Sequence, residues 1–316
     1  MAKTYNELDY TYAVARLRSL EKKLLTTAEL EKLINADNAA EAVKTLASLG
    51  WKSTEDFEEL LHSELVGVFS LIEELGGASL LKVLRTKYDY HNLKAFIKGE
   101  LTSQNSDGLV IDLGNIAAAK IKNAILNRDY RELSEHMQKA IPLSYDQYAR
   151  IADAQLVDII FDSALLAEML EYAKAQPEEK FFSLIKIQLD MHNIKTFIRV
   201  RNMGRSHGFI ERVIADGGNI PPEFYISKIN SSSEGEGNIF DKTPYAAAFA
   251  ADTNLERELD NMFLNKVKAI RQGAFGLAPL AAYFWMKENE IKNVRIILTC
   301  KRAGINEDAI RQRLRG

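Results

Sequence analysis

The chain is poor in several residue types, and each shortage excludes something. There is one cysteine, Cys300, in 316 residues, so no disulfide can form within the chain, and a reducing compartment is the natural expectation. Only six prolines are present, which leaves room for long uninterrupted helices. No stretch approaches the roughly 18 uncharged residues of a membrane span; the most apolar segments, such as "APLAAYFWM", stop well short. The N-terminal stretch "MAKTYNELDYTYAVARLRSLEKK" carries charge too early for a signal-peptide core. A cytoplasmic chain that does not itself cross a membrane is expected. Lys plus Arg number 41 against 44 Asp plus Glu, a net charge of −3. That balance gives no support for non-specific nucleic-acid binding, which needs a basic excess or stripe.

Chemical motifs are equally scarce. The sequence holds no GxxxxGK[ST] phosphate loop, no GxGxxG and no HExxH. Glu59 and His62 form half of a di-iron Glu-x-x-His pair, but the second pair is missing. The five histidines are scattered and the lone cysteine excludes cysteine-rich zinc sites. Cys300 reads as a small buried apolar residue. The expectation is a protein with no catalytic residue, metal or cofactor of its own.

What is abundant is helical periodicity. In "STEDFEELLHSELVGVFSLIEEL", Phe57, Leu60, Leu61, Leu65, Val68, Phe69 and Ile72 recur at spacings of three and four and draw one apolar stripe. Ser53 or Thr54 is the expected start of that helix, and Gly76-Gly77 its end. Strand-like alternation is almost absent, so an all-α protein is expected. The polar stretches 102–108 ("TSQNSDG") and 231–238 ("SSSEGEGN") read as loops.

One phrase recurs. "DYHNLKAFI" at 89–97 returns as "DMHNIKTFI" at 190–198 and, more loosely, as "ENEIKNVRIIL" at 288–298. Asn92, Asn193 and Asn293 recur about a hundred positions apart, far beyond the 20 to 50 residues of a stacked solenoid repeat. Three residues before each stands an acid: Asp89, Asp190, Glu290. Immediately before stands His91, His192 or Lys292, and two after stands Lys94, Lys195 or Arg295. Positions one, four and five after are apolar throughout: Leu93, Phe96 and Ile97; Ile194, Phe197 and Ile198; Val294, Ile297 and Leu298. Upstream of each copy lies a helix break (Gly76-Gly77, Pro177, and Gly276 with Pro279), and before the break another amphipathic helix. Each copy thus reads as a helical hairpin with the phrase on its second arm. A fainter echo, "DLGNI" at 112–116 and "DGGNI" at 216–220, opens a short helix after the first two arms. Three tandem similar helical domains are expected, over residues 1–104, 105–215 and 216–316.

At 100° per residue, the apolar positions of the phrase span an arc of roughly 40° to 160° from the asparagine. The acid falls near 60°, inside that arc; the asparagine sits at its edge, and the cations lie beyond it. A buried carboxylate must find donors or lose its charge. The acids and asparagines therefore read first as hydrogen-bonded ties between helices, repeated because a domain was duplicated; the alternative is a three-fold set of partner contacts. The cations His91, Lys94, His192, Lys195, Lys292 and Arg295 read as an exposed, solvated face and as the partner-contact candidates of the set.

With these residues in hand, the chain resembles the C subunit of the V-type (archaeal and bacterial type) ATPase, whose eukaryotic relative is the d subunit of the V-ATPase. The resemblance rests on "DYHNLKAFIKG" (89–99), "QLDMHNIKTFIRVR" (188–201), "ADGGNIPPEF" (215–224) and "KENEIKNVRIILTCKRAGINEDAIRQRLR" (287–315), and covers nearly the whole length. It implies a non-enzymatic, funnel-like arrangement of three helical domains with pseudo-three-fold symmetry. Such a protein sits peripherally on the cytoplasmic end of the membrane proteolipid rotor ring and receives the central shaft, made of the D and F subunits. It would pass rotation between an ATP-driven head and an ion-carrying ring. The rival expectation is a generic helical scaffold outside any rotary motor. An enzyme, the third option, would need a deep pocket with convergent polar groups.

Overall fold

The computed structural model describes residues 6–54, 56–176, 178–204, 207–230, 235–250 and 254–316. Every regular element among them is helical, as the periodicity predicts. In order these are α1 (Thr11–Leu20), α2 (Thr27–Ile34), α3 (Ala39–Ser48), α4 (Phe57–Glu74), α5 (Ala78–Thr102), α6 (Ala118–Asn127), α7 (Glu135–Ile151) and α8 (Ala154–Lys174). There follow α9 (Glu179–Asn202), α10 (His207–Val213), α11 (Pro222–Lys228), α12 (Glu236–Phe240), α13 (Leu255–Arg271), α14 (Ala278–Arg302) and α15 (Glu307–Arg311), with one short 3₁₀ turn before α1 and three between later helices. No described helix is long and apolar enough to cross a membrane.

Local signals place the helix ends. Thr26 and Glu29 form a reciprocal capping box at the start of α2, so two end donors are satisfied at once. For α4 the cap is Asp56, whose carboxylate accepts from the Glu58 N–H. The expected start at Ser53 or Thr54 is therefore early; Thr54 instead accepts from the Asp56 N–H through its hydroxyl. Gly76, at φ +81°, turns the chain after α4 in a conformation that suits glycine. The stripe on α4 is buried as its spacing predicts, with Leu65 half-buried. Pro177 and residues 231–234 of the expected second loop lie outside the described residues, and 236–238 of that loop belong to α12.

By packing, the chain divides into two compact units, Met1–Ala78 with Ala251–Gly316, and Ser79–Ala250. The recurring phrase lies on α5, α9 and α14, helices of 25, 24 and 25 residues. Two of the expected hairpins pack within a unit: α13 against α14 in the first, and α8 against α9 in the second. The expected first hairpin meets the division between the units. The chain passes from one unit to the other just after Gly76-Gly77, and α4 packs on α14, which follows it by some two hundred positions. In the first unit, Ile291, Val294, Ile297 and Leu298 of α14 are buried with Leu33, Ile34, Leu46, Leu60 and Leu61 of α2, α3 and α4. Cys300 is buried in the same cluster. In the second, α8 packs between α7 and α9, and aromatic rings fill the space beside the motif helix. Phe197 lies 5.7 Å from Phe240 in an edge-to-face arrangement, and Phe240 stacks on Phe249 at 4.7 Å.

Candidate functional site

The repeated polar residues form three similar clamps. Asn92 donates through Nδ2 to the Ile111 carbonyl at 2.9 Å and accepts the Ile111 N–H at 2.9 Å. Asn193 makes the same pair of bonds with Ala215, at 2.8 and 3.1 Å. Asn293 makes it with Arg315, at 2.7 and 3.0 Å. A side-chain amide matches one residue's backbone donor and acceptor together. Each asparagine therefore fastens the chain that follows its helix back onto that helix, and all three are 2% exposed or less.

The acids close the clamps one turn earlier. Asp89 accepts the Ile116 N–H at 2.8 Å and the Asn115 amide at 3.0 Å. Asp190 accepts the Asn219 and Ile220 N–H groups at 2.8 and 3.0 Å, the Asn219 amide at 2.7 Å and the Tyr245 hydroxyl at 2.8 Å. The echo segments 112–116 and 216–220 are these donor loops. Their glycines permit the approach: a Cβ on Gly114 or Gly218 would run into an oxygen of Asp89 or Asp190. Glu290 differs. Its donors are the Leu25 N–H at 2.6 Å and the Lys287 ammonium at 2.5 Å, so the N-terminal segment takes the place of the loop that follows the other two helices.

All three carboxylates are buried, at 2%, 0% and 6% exposure, where the helix geometry predicts them. Their electrostatics differ. Burial pushes the Asp89 carboxyl up to about 6, against the pull of the Ile116 and Asn115 donors, and the nearby Glu168 carboxylate adds to the rise. Glu168 is itself buried and accepts from the hydroxyls of Tyr90, Tyr172 and Ser134 at 2.8, 2.8 and 2.5 Å. Near Glu290, burial lowers the Lys287 ammonium, but Glu290 and Glu64 (2.9 Å away) outweigh it and hold the lysine above its ordinary range. Lys287 also lies 4.4 Å from the centre of the Trp51 ring. Lys287, Glu64 and Trp51 line a cleft of about 500 Å³ in the first unit. Glu59, the acid half of the partial di-iron pattern, is bonded to Lys52 and Thr54.

The six cations are not the uniform exposed face that the helical angles predict. His91 donates from Nε2 to the Leu109 carbonyl at 2.8 Å. Lys94 is half-buried and pairs with Asp162 on α8 at 2.6 Å. Lys292 pairs with Asp260 on α13 and Arg295 with Glu58 on α4, at 2.9 and 2.8 Å. His192 is not a cation at neutral pH: burial lowers it to about 4, with Lys195, Arg199 and Lys94 adding to the fall against Asp162. Its ring lies within hydrogen-bond distance of Ser163 and Thr196. Lys195 has no ion pair or hydrogen bond among the described residues. Helix angle reports the direction a side chain leaves, but not the acid on the neighbouring helix that meets it.

Sequence reasoning passes over Asn115, Asn219, Tyr245, Leu25, Lys287 and Arg315. The first two are signalled by the Gly-Asn-Ile echo; the others carry no local mark.

Three long helices, each holding a buried acid and asparagine that bond to the backbone of another segment, mark the class of protein: an all-α chain with internally braced helices. Compared with known sequences, residues 13–313 match the ATP synthase (C/AC39) subunit family, and the chain belongs to that family. It is 25% identical to the C subunit of the V-type sodium ATPase of Enterococcus hirae, over 95% of this chain and 96% of that protein. It is also 25% identical to the C subunit of the A-type ATP synthase of Methanocaldococcus jannaschii, over 96% and 86%, and 23% identical to that of Thermococcus gammatolerans, over 96% and 89%. Family membership places the chain among the subunits of V/A-type rotary ATPases.

Proposed function

We propose that this chain is a non-catalytic central-stalk component that links the shaft, made of the D and F subunits, to the membrane rotor ring, resting on the cytoplasmic end of that ring and transmitting rotation. The observation that carries the reading is the end-to-end match to the family, which spans the chain from residue 13 to 313 rather than one module. The physical character of the chain suits the role. A torque adaptor must resist bending, and helices of 24 and 25 residues are rods of about 36 to 38 Å. Each is fastened to the following or preceding chain by buried hydrogen bonds, which are far less compliant than exposed ones.

The three-domain organisation, residues 1–104, 105–215 and 216–316 in a pseudo-three-fold funnel, belongs to the same proposal; the recurrence of one asparagine clamp on α5, α9 and α14 supports it. The partner contacts come from the cation set, chiefly those not already held within the chain.

Co-expression with the D and F shaft subunits and the proteolipid ring of the same organism tests the reading. Co-purification with both is expected. Complexes lacking this chain should hydrolyse ATP in the detached head while ion pumping falls. Failure to associate with either shaft or ring, or loss of hydrolysis in the isolated head, would overturn it.

A further inference from the structure

We propose that the outer face of α9 bearing Lys195, Ile198 and Arg199 is a docking surface for a partner helix that presents two carboxylates four residues apart. The inference deepens the proposed function only in naming the chemistry of one partner contact, and it stands on a comparison of the three motif helices within this chain.

The positions two, five and six after each asparagine fall within an arc of about 100° on the helix surface. On α5 they are Lys94, Ile97 and Lys98. Lys94 pairs with Asp162 at 2.6 Å and Lys98 with Asp158 at 2.8 Å. Cations at i and i+4 thus meet acids at i and i+4 on α8, which runs antiparallel, and Ile97 between them is fully buried. On α14 the positions are Arg295, Leu298 and Thr299. Arg295 pairs with Glu58 of α4 at 2.8 Å, and Leu298 is fully buried.

On α9 the same three positions have less cover or no ion-pair partner. Lys195 is half-buried, as Lys94 is, and Arg199 exposed, and neither makes an ion pair or hydrogen bond among the described residues. Ile198 is half-exposed where its two counterparts are fully buried. An exposed lysine alone is an ordinary solvated charge. Here two cations go without an ion pair and the apolar residue between them loses part of its cover, all on one face of one helix. The α5–α8 contact is therefore the template for the missing partner: an antiparallel helix, carboxylates one turn apart, an apolar side chain between them. His192, one turn from Lys195, is neutral and adds no charge. Exposed pairs of this kind set register and encounter more than affinity, so the face serves as a docking key within a larger contact.

The test uses the full chain with isoleucine δ1-methyl labelling and a synthetic alanine-based helical peptide carrying Glu at i and i+4 with Leu between. A second peptide of the same composition carries its carboxylates at i and i+2, on different faces. The Ile198 methyl should move saturably with the first peptide and not with the second. Replacing Lys195→Gln and Arg199→Gln together should weaken that binding by about two- to thirty-fold, the effect of two exposed ion pairs. The exchange Lys195→Arg with Arg199→Lys keeps both charges and should retain it. The proposal is overturned if Ile198 does not move, if both peptides act alike, or if the double glutamine variant binds as before. It is also overturned if inorganic phosphate at equal ionic strength moves Ile198 as much as the first peptide, since the face would then be a simple anion site. Co-purification with shaft and ring is read separately, so a failed peptide with an intact complex removes this surface and leaves the motor role standing.

Discussion

The substitution Asp190→Ala tests the clamp most directly. Asp190 accepts four hydrogen bonds, but the four donors are not equivalent. Asn219 is exposed, so its N–H and amide can turn to water when the carboxylate is removed. The Ile220 N–H and the Tyr245 hydroxyl are buried, at 5% and 4% exposure, and cannot. A buried donor left without an acceptor costs about 1 to 3 kcal/mol, so the two together set a loss of roughly 2 to 6 kcal/mol. The lost desolvation penalty of the carboxylate offsets part of this, and a value of about 3 kcal/mol is expected. Urea unfolding should show it as a lower midpoint with an unchanged slope, and the Ile220 amide should exchange faster. Tyr245→Phe removes one donor and should cost about 1 kcal/mol alone, yet almost nothing in the Asp190→Ala background. A loss below about 1 kcal/mol for Asp190→Ala, or strict additivity of the two changes, would refute the clamp as a source of stability.

Other consequences are equally accessible. Gly218→Ala should destabilise by about 1 to 3 kcal/mol, because its Cβ would collide with Asp190. Gly208→Ala, with open space at its Cβ, should be nearly neutral in the same denaturation assay. Asp89, raised from 3.8 to about 6, opposes folding once ionised. Its contribution is favourable below about pH 4 and is lost as pH rises through 6, a change of about 3 kcal/mol. Asp89→Asn should flatten that part of the stability–pH curve, and an unchanged slope between pH 4 and 7 would argue against it. Arg295→Gln breaks a pair whose partners are both more than half exposed and should cost no more than about 1 kcal/mol, the smaller for added salt.

What could be read in advance was whatever the helix period encodes. Asp89, Asp190 and Glu290 fall inside the apolar arc by angle alone, and burial follows from that. The α13–α14 hairpin follows from the break at Gly276 between two amphipathic runs. α4, which ends at Gly76-Gly77, also packs on α14 some two hundred positions later, a partner that local spacing does not reveal. The partners of the acids were hidden for the same reason. The loop carrying Asn219 returns to Asp190 only because Gly218 lets the backbone approach, and Leu25 reaches Glu290 across 265 positions. The cations show this boundary too. Lys94 and Arg295 read as solvated by helix angle, but Asp162 and Glu58 meet them from neighbouring helices. His192 occupies the same slot in the phrase as His91, yet Ser163 of α8 covers one and a loop carbonyl meets the other.

The third clamp has a consequence for the order in which the molecule can be made. Asp89 and Asp190 close on loops 26 to 30 positions downstream, so their clamps can form soon after those segments leave the ribosome. Leu25 is instead synthesised 265 positions before Glu290 and must wait for its acceptor until α14 emerges. Loop closure over such a span is entropically late. The unit Ser79–Ala250 is continuous and can fold while synthesis proceeds, whereas the unit joining Met1–Ala78 to Ala251–Gly316 is completed only after its last helix arrives. A nascent chain stalled before α14 should therefore protect Ile220 from exchange but leave the Leu25 amide open, a difference that pulse-labelling of arrested chains would reveal.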